Sequence, residues 1–280
     1  MSELGNKRVL ITGAARGIGA ALAQRLHAPG ARVALAGLEP DLLAEVAASV
    51  DAPYWYCDVT DRAQVDAAVA NAVDALGGLD VVVANAGIAA QLPLVGGDPT
   101  IFDRTIAVNV IGTYNTVRAA GPHISHRDGY AVVVASMGAA IHLPLMGAYS
   151  ASKAAVEAIG NTLRQEVRPS GARVGVAYFA ELDTDMTTRG FDTDAAKQLT
   201  GGRRKSITRV TPLSAGIDAL ERGIAKRSRV IVAPRWSRPA LSMRMFVQPV
   251  LEPFARKNLA KALETARSER VELTTRQPDQ

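Results

Sequence analysis

Short apolar runs alternate along the chain with stretches whose apolar residues recur every three or four positions. Arg8–Ile11, Val33–Ala36, Tyr54–Cys57, Leu79–Ala84, Tyr130–Ala135, Arg173–Phe179 and Val230–Ala233 are seven candidate strands. Between them, Leu22 with Leu26, Leu42 and Leu43 with Val46, and Val65 with Val69 and Val73 mark the apolar faces of helices. The longest periodic stretch predicts a helix from about Ala148 to Arg168, stopped by Pro169 and Gly171. Strands apolar on both sides and separated by helices imply a parallel sheet covered on both faces, with right-handed crossovers. The expected fold class is α/β, a doubly wound parallel seven-stranded sheet. No internal repeat or low-complexity linker interrupts it.

Composition sets outer bounds. The chain has 280 residues, 48% hydrophobic and 21% charged, enough to bury a full core. Its single cysteine, Cys57, allows no internal disulfide and suits a reducing compartment. Residues 1–6 lack the basic start and apolar run of a secretion signal. Apolar runs such as Ala131–Ala135 fall far short of the ~20 residues that cross a bilayer. A cytoplasmic protein is expected.

Charge changes the picture. The net charge is +5, but residues 1–200 carry 15 basic and 20 acidic side chains, and residues 201–280 carry 17 and 7. The basic C-terminal part is either a solvated face or a contact with an acidic surface. The chain is expected to divide into a catalytic domain, 1–235, and a basic amphipathic C-terminal helical extension, 236–280. That extension mixes Leu241, Met245, Phe246, Val250, Leu251 and Phe254 with Arg235, Arg238, Arg244, Arg256 and Lys257. Pro239, Pro249 and Pro253 should start or kink helices there. An apolar stripe needs a partner. The candidates are its own or a neighbouring subunit, where it could wall a substrate pocket, or an anionic membrane. Nucleic acid is disfavoured, because no recognised reading module is present.

The candidate chemistry gathers at the ends of strands. Thr12-Gly13-Ala14-Ala15-Arg16-Gly17-Ile18-Gly19 lies between the first strand and the first helix, where a doubly wound sheet binds dinucleotide phosphates. Glycines also serve tight turns, so position rather than composition favours the functional reading. Asn85-Ala86-Gly87 follows the fourth strand, on the ligand edge or as a plain turn. Asp58 follows the third; it either accepts a hydrogen bond from an adenine amino group or caps a helix. Tyr149 and Lys153, four apart, share one helix face, and Ser136 ends the fifth strand, able to meet Tyr149 across the crevice. A phenol titrates near ~10, and a nearby ammonium favours its ionised form, which brings it towards a useful acid–base range. An exposed helix pair is the plain alternative for Tyr-x-x-x-Lys; the company of the other motifs argues against it.

Together these motifs resemble the short-chain dehydrogenase/reductase family over roughly residues 6–235. The resemblance rests on Thr12-Gly13-x-x-x-Gly17-x-Gly19, Asp58-Val59, Asn85-Ala86-Gly87, Asn109-Val110-x-Gly112, Ser136 and Tyr149-x-x-x-Lys153. It implies a Rossmann fold with strand order 3-2-1-4-5-6-7 and a catalytic tetrad. Tyr149 would be the acid/base, Lys153 would hold the nicotinamide ribose and lower the tyrosine pKa, Ser136 would orient the substrate oxygen, and Asn109 would fix a water in a proton relay. Cofactor contacts would come from Gly13, Ala15, Arg16, Gly17, Ile18, Gly19, Leu38, Asp58, Val59, Asn85, Ala86, Gly87, Tyr149, Lys153, Leu182 and Thr184, with no metal site. The implied activity is an NAD(P)-dependent alcohol dehydrogenase or carbonyl reductase acting on a secondary alcohol or ketone. A homodimer or homotetramer built on the Tyr/Lys helix is implied too.

Two departures matter. Phe179-Ala180 stands where the family usually carries Pro-Gly, before Leu182 and Thr184. Gly37 and Leu38 stand where the family usually shows an acid for NAD or an arginine for NADP, while Arg16 and Glu39 argue in opposite directions. NAD and NADP therefore both stay open. The stretch Thr187–Val210 resembles the family's mobile substrate lid. Ile88, Leu92, Leu94, Ile141, Leu143, Leu145 and Met146 flank the catalytic positions. They form either an apolar substrate pocket, fit for a lipid, steroid, terpenoid or aromatic compound, or core and subunit interface. A non-catalytic dinucleotide sensor on the same fold is the rival reading; the four tetrad residues argue against it.

Overall fold

The computed structural model describes residues 3–184, 186–187, 193–201, 210–269, 271, 273–275 and 277, and of residues 254 and 255 the backbone only. Most of the expected lid, residues 188–192 and 202–209, and the Phe254 side chain lie outside the described residues.

Seven parallel strands form one sheet: β1 (Arg8–Thr12), β2 (Arg32–Gly37), β3 (Tyr54–Tyr56), β4 (Val81–Ala84), β5 (Tyr130–Val134), β6 (Arg173–Phe179) and β7 (Val230–Ala233). Their order is β3-β2-β1-β4-β5-β6-β7. The strand order reverses between β1 and β4, so a crevice opens at their C-terminal ends, where such sheets bind ligands. Every β4 and β5 residue is buried, as a strand covered on both faces requires.

Helices cover the two faces. On one lie α1 (Gly17–His27) and α2 (Pro40–Ser49), joined late in the chain by α8 (Leu213–Ala225); Leu22, Leu26, Leu43 and Leu220 share one core with Val9, Ile11 and Val83. On the other lie α3 (Arg62–Leu76), α4 (Pro99–Ile106), α5 (Gly112–Ile124) and α6 (Gly147–Glu166). Asp61 caps α3 through the amides of Ala63 and Gln64, which leaves Asp58 free of that role. A π-helical stretch, Ala107–Ile111, joins α4 to α5 and carries Asn109, which is fully buried. Such bulges often mark functional sites.

At β6 the Phe179-Ala180 departure extends the strand. Phe179 pairs with Ala233 of β7, and the Ala180 amide donates to the Ala233 carbonyl at 2.9 Å. The Phe179 ring packs into the core beside Leu182 and Ile217.

After β7 the chain forms α9 (Arg238–Ser242), α10 (Arg244–Ala255) and α11 (Leu259–Ser268). Pro239 sits in the first turn of α9, while Pro249 and Pro253 lie inside α10. Leu241 is buried, but Met245, Phe246 and Val250 are exposed. α11 packs along a short helix, α7 (Asp194–Leu199), and the Glu269 carboxylate accepts the Asp194 and Ala195 amides at 2.8 and 3.1 Å.

Candidate active site

The turn after β1 is built for close approach. Gly13 and Gly17 have φ of 64° and 55°, in the left-handed region. A Cβ on Gly13 would come within 2.7 Å of Ala86 Cα, and one on Gly19 within 2.2 Å of the Gly13 carbonyl. Asn85 fastens the turn from the neighbouring strand: its Nδ2 donates to the carbonyls of Thr12 and Gly13 at 3.0 and 3.1 Å. The Asn85 amide donates to Thr12 Oγ1 at 3.2 Å. α1 opens at Gly17 with no side-chain cap and no acid in its first turn. Its N-terminal amides and partial positive charge therefore face the cleft, an arrangement that suits a pyrophosphate.

At the far end of the cleft Asp58 is already engaged. Its Oδ1 accepts from the amide and hydroxyl of Thr60 at 2.9 and 2.8 Å, and its Oδ2 accepts from Arg104 at 3.1 Å. The helix N-cap belongs to Asp61, so Asp58 closes a local turn instead, and it lines the cleft. Beyond β2, Arg16 donates through Nε to Glu39 at 2.7 Å and again through Nη2. Neighbouring Cys57 is buried, and burial with the nearby Asp58 pushes its thiol up to about 12, so it is inert.

The catalytic candidates meet where β4 and β5 end. Tyr149 is hydrogen-bonded to Ser136. Ser136 Oγ also accepts the Gly138 amide at 3.0 Å and donates to the Phe179 carbonyl at 3.3 Å. Lys153 Nζ donates to the Val134 carbonyl at 2.9 Å and lies 5.7 Å from the centre of the Tyr149 ring. Burial raises the Tyr149 phenol above its ordinary value, against the Ser136 hydrogen bond, and lowers the Lys153 ammonium to about 8. Burial acts on both by penalising the charged form. Asn109 Oδ1 accepts the Ile88 amide at 2.8 Å, and its Nδ2 donates to the Ile88 carbonyl and to Ser152 Oγ at 2.9 Å each.

These groups border one open cavity of about 1700 Å³. Of the tetrad and cofactor-contact residues expected from the sequence, all line it except Gly19 and Asn109, which lie behind its wall. Sequence reasoning missed several others. Thr12 and Ser152 stood inside the motifs and fix Asn85 and Asn109. Arg104, which holds Asp58, gave no local signal, and neither did Thr274, Thr275 and Gln277, which also line the cavity. Among the described residues no group of three or more His, Cys, Asp or Glu side chains could hold a metal ion.

A profile of the family described as "short chain dehydrogenase" matches residues 7–195. The chain belongs to that family. It is 34% identical over 201 residues to an uncharacterized oxidoreductase of Staphylococcus aureus (strain MRSA252), covering 70% of this chain and 87% of that one. It is equally identical over 201 residues to glycine betaine reductase of Emericella nidulans, but spans only 16% of that protein's length. Among solved structures, a dehydrogenase/reductase from Sinorhizobium meliloti 1021 is 28% identical, with TM-score 0.72 over 81% of this chain and 93% of that one. A family member from Burkholderia phymatum, solved in complex with NAD, is 24% identical; its TM-score is 0.76 over 92% of this chain and 98% of that one, a likeness of fold. The chain is thus an oxidoreductase of this family.

Proposed function

We propose that the protein interconverts an apolar secondary alcohol and its ketone, using NAD or NADP. The observation that carries this reading is the Tyr149–Ser136 hydrogen bond beside the buried Lys153, in the same cleft that the glycine turn lines. The cradle left by Gly13 and Gly19 and the uncapped start of α1 fit a dinucleotide. Ala15, Arg16 and Ile18 would flank its pyrophosphate, Leu38, Asp58 and Val59 its adenosine, and Ala86, Gly87, Lys153, Leu182 and Thr184 its nicotinamide half. When bound, that cofactor supplies or accepts the hydride.

The chain's own residues supply the proton chemistry. Tyr149, held protonated by burial, is set to give its proton to a carbonyl oxygen that Ser136 orients. In the oxidative direction it must first lose that proton, and the Lys153 ammonium favours the phenolate. Both side-chain ends of Asn109 are occupied, so it positions Ile88 and Ser152. Its backbone carbonyl, which accepts from Thr113 Oγ1 at 2.7 Å, would hold the relay water. Ile88, Ile141, Leu143, Met146, Trp236 and Leu251 line the substrate end, which favours an apolar substrate.

A homodimer or homotetramer is proposed by family likeness. A cytoplasmic location is proposed with it, along with peripheral contact between α10 and an anionic bilayer. Among the described residues no helix is long and apolar enough to cross a membrane.

The test is NADH- and NADPH-dependent turnover on a panel of apolar ketones, beside Tyr149→Phe. The wild type should turn over, and the variant should bind cofactor equally well while losing all but a few per cent of kcat. Turnover that survives the substitution would remove Tyr149 from its role.

A further inference from the structure

Beyond α11 the chain turns back to the catalytic cleft. Leu273 is buried in the same apolar cluster as Ile88, Leu92, Ile101 and Val108. Thr274 and Gln277 are each only 5% exposed, although both are polar. Each has a specific partner, as buried polar groups require. Thr274 Oγ1 accepts the amide of Ala89 at 3.2 Å, two residues past Gly87. Gln277 Oε1 accepts from Arg104 Nε at 2.9 Å, and the same guanidinium holds Asp58. The Gln277 Nε2 donates back to the Thr275 carbonyl at 2.8 Å, which leaves its oxygen for Arg104.

The tail therefore touches both ends of the cleft. Through Ala89 it holds the loop that carries Gly87 and Ile88. Through Arg104 it holds the carboxylate at the opposite end. Thr274, Thr275 and Gln277 line the cavity that Gly13 and Asn85 also line. Leu273 and the partly buried Val271 pack into that apolar cluster, and the hydrogen bonds of Thr274 and Gln277 complete the anchorage.

We infer that residues 273–275 and Gln277 form a strap along the wall of the dinucleotide cleft, with Thr274 and Gln277 as positioning residues for cofactor binding. This rests on the NAD(P) site proposed above. Strap and cofactor then stabilise each other, because both depend on the Gly87–Ile88 loop and the Asp58 carboxylate that the strap holds in place.

The test compares the full chain with a chain ending at Glu269, which keeps the Glu269 cap on α7, and with Thr274→Val and Thr274→Ser. NADH and NADPH affinity and release rate are read by nucleotide fluorescence, and hydrogen exchange is followed at the Ala89 amide. Truncation should weaken binding at least tenfold and speed release. Thr274→Val should move in the same direction, and Thr274→Ser, which restores the acceptor, should return to wild type. Saturating dinucleotide should slow Ala89 exchange in the full chain only. Equal affinities in all four proteins would overturn the strap, as would faster Ala89 exchange on binding, which would mean that the cofactor displaces the tail. A full chain that binds neither nucleotide would instead sink the cofactor reading itself.

Discussion

Arg244 and Glu157 form a two-pronged ion pair, with Arg244 Nη1 and Nη2 reaching the two carboxylate oxygens at 3.1 and 2.7 Å. Glu157 lies one turn beyond Lys153 on α6, and Arg244 opens α10, so this contact ties the C-terminal helices to the helix that carries Tyr149 and Lys153. Glu157 is buried and also hydrogen-bonded to Tyr178, whose phenol is raised by burial and by that carboxylate. Removing one partner leaves a charge stranded. Arg244→Ala should cost roughly 1–3 kcal/mol, less than the ~3–5 of a fully buried pair, because the Arg244 side chain keeps 38% exposure. Urea unfolding of the variant checks the loss. An unchanged midpoint would show that the pair is only ornamental to stability.

Lys153 makes a pH-dependent contribution of known sign. Its folded pKa is lowered to about 8 by burial, against ~10.4 in an unfolded chain. Below pH 8 both states hold the proton, and the folded state bears the full cost of a buried ammonium. Above pH 8 the folded chain releases the proton before the unfolded one does, so stability climbs until about pH 10.4. The whole rise is about 3 kcal/mol, and about 2 kcal/mol of it falls between pH 8 and 9.5. Tyr149 acts in the opposite direction only above pH 10, where its raised phenol keeps a proton the unfolded chain has lost. Lys153→Met should flatten the rise between pH 8 and 9.5, as read from urea midpoints. The same slope in both proteins would mean that Lys153 titrates normally.

The Arg16–Glu39 pair offers a test of the choice between NAD and NADP. Both side chains line the cleft beyond β2, beside Leu38, and Glu39 holds the guanidinium that a 2′-phosphate would otherwise attract. Glu39→Gln removes the repelling charge and frees Arg16. NADP affinity should rise about tenfold, ~1.4 kcal/mol, with little change for NAD. Titration calorimetry with both nucleotides measures the ratio. A wild-type preference beyond about a thousandfold, roughly 4 kcal/mol, would show that another residue decides.

Most of the fold was readable because buried parallel strands are written as continuous apolar runs. β6 and β7 fall where the runs predict them, and the sheet order is the expected one. β4 begins at Val81 rather than Leu79, because Asp80 turns its carboxylate onto the Arg8 amide and guanidinium. Side-chain direction in loops was not readable. Of the seven apolar residues that could be pocket, core or interface, Ile88, Ile141, Leu143 and Met146 line the cavity. Leu92 and Leu145 are core, each 4% exposed, and Leu94 is 70% exposed. The difference comes from a left-handed turn at Leu145 and a bond between the Leu92 amide and its carbonyl, at 2.9 Å. The tail was hidden for a similar reason. Thr274, Thr275 and Gln277 carry no motif, and the partners of Thr274 and Gln277, Ala89 and Arg104, are remote in sequence.

The exposed face of α10 supports the membrane contact, and its charges decide between two occupants. Met245, Phe246 and Val250 are 80%, 74% and 64% exposed, and Trp236, which also lines the cavity, is 64% exposed. Arg235, Arg238, Arg256 and Lys257 are exposed on the same segment. A second copy docked through this face would set these cations against one another. An anionic bilayer would take up the apolar side chains and complement the charge, as interfacial helices do. It would also bring the cavity's apolar wall to a source of apolar substrate. Wild-type protein should therefore sediment with vesicles rich in phosphatidylserine but not with phosphatidylcholine alone, and high salt should release it. Met245→Glu with Phe246→Glu, both at surface positions, should abolish sedimentation while leaving the unfolding midpoint and subunit state unchanged. If the double variant loses assembly instead, and the wild type ignores anionic vesicles, the face belongs to a neighbouring subunit.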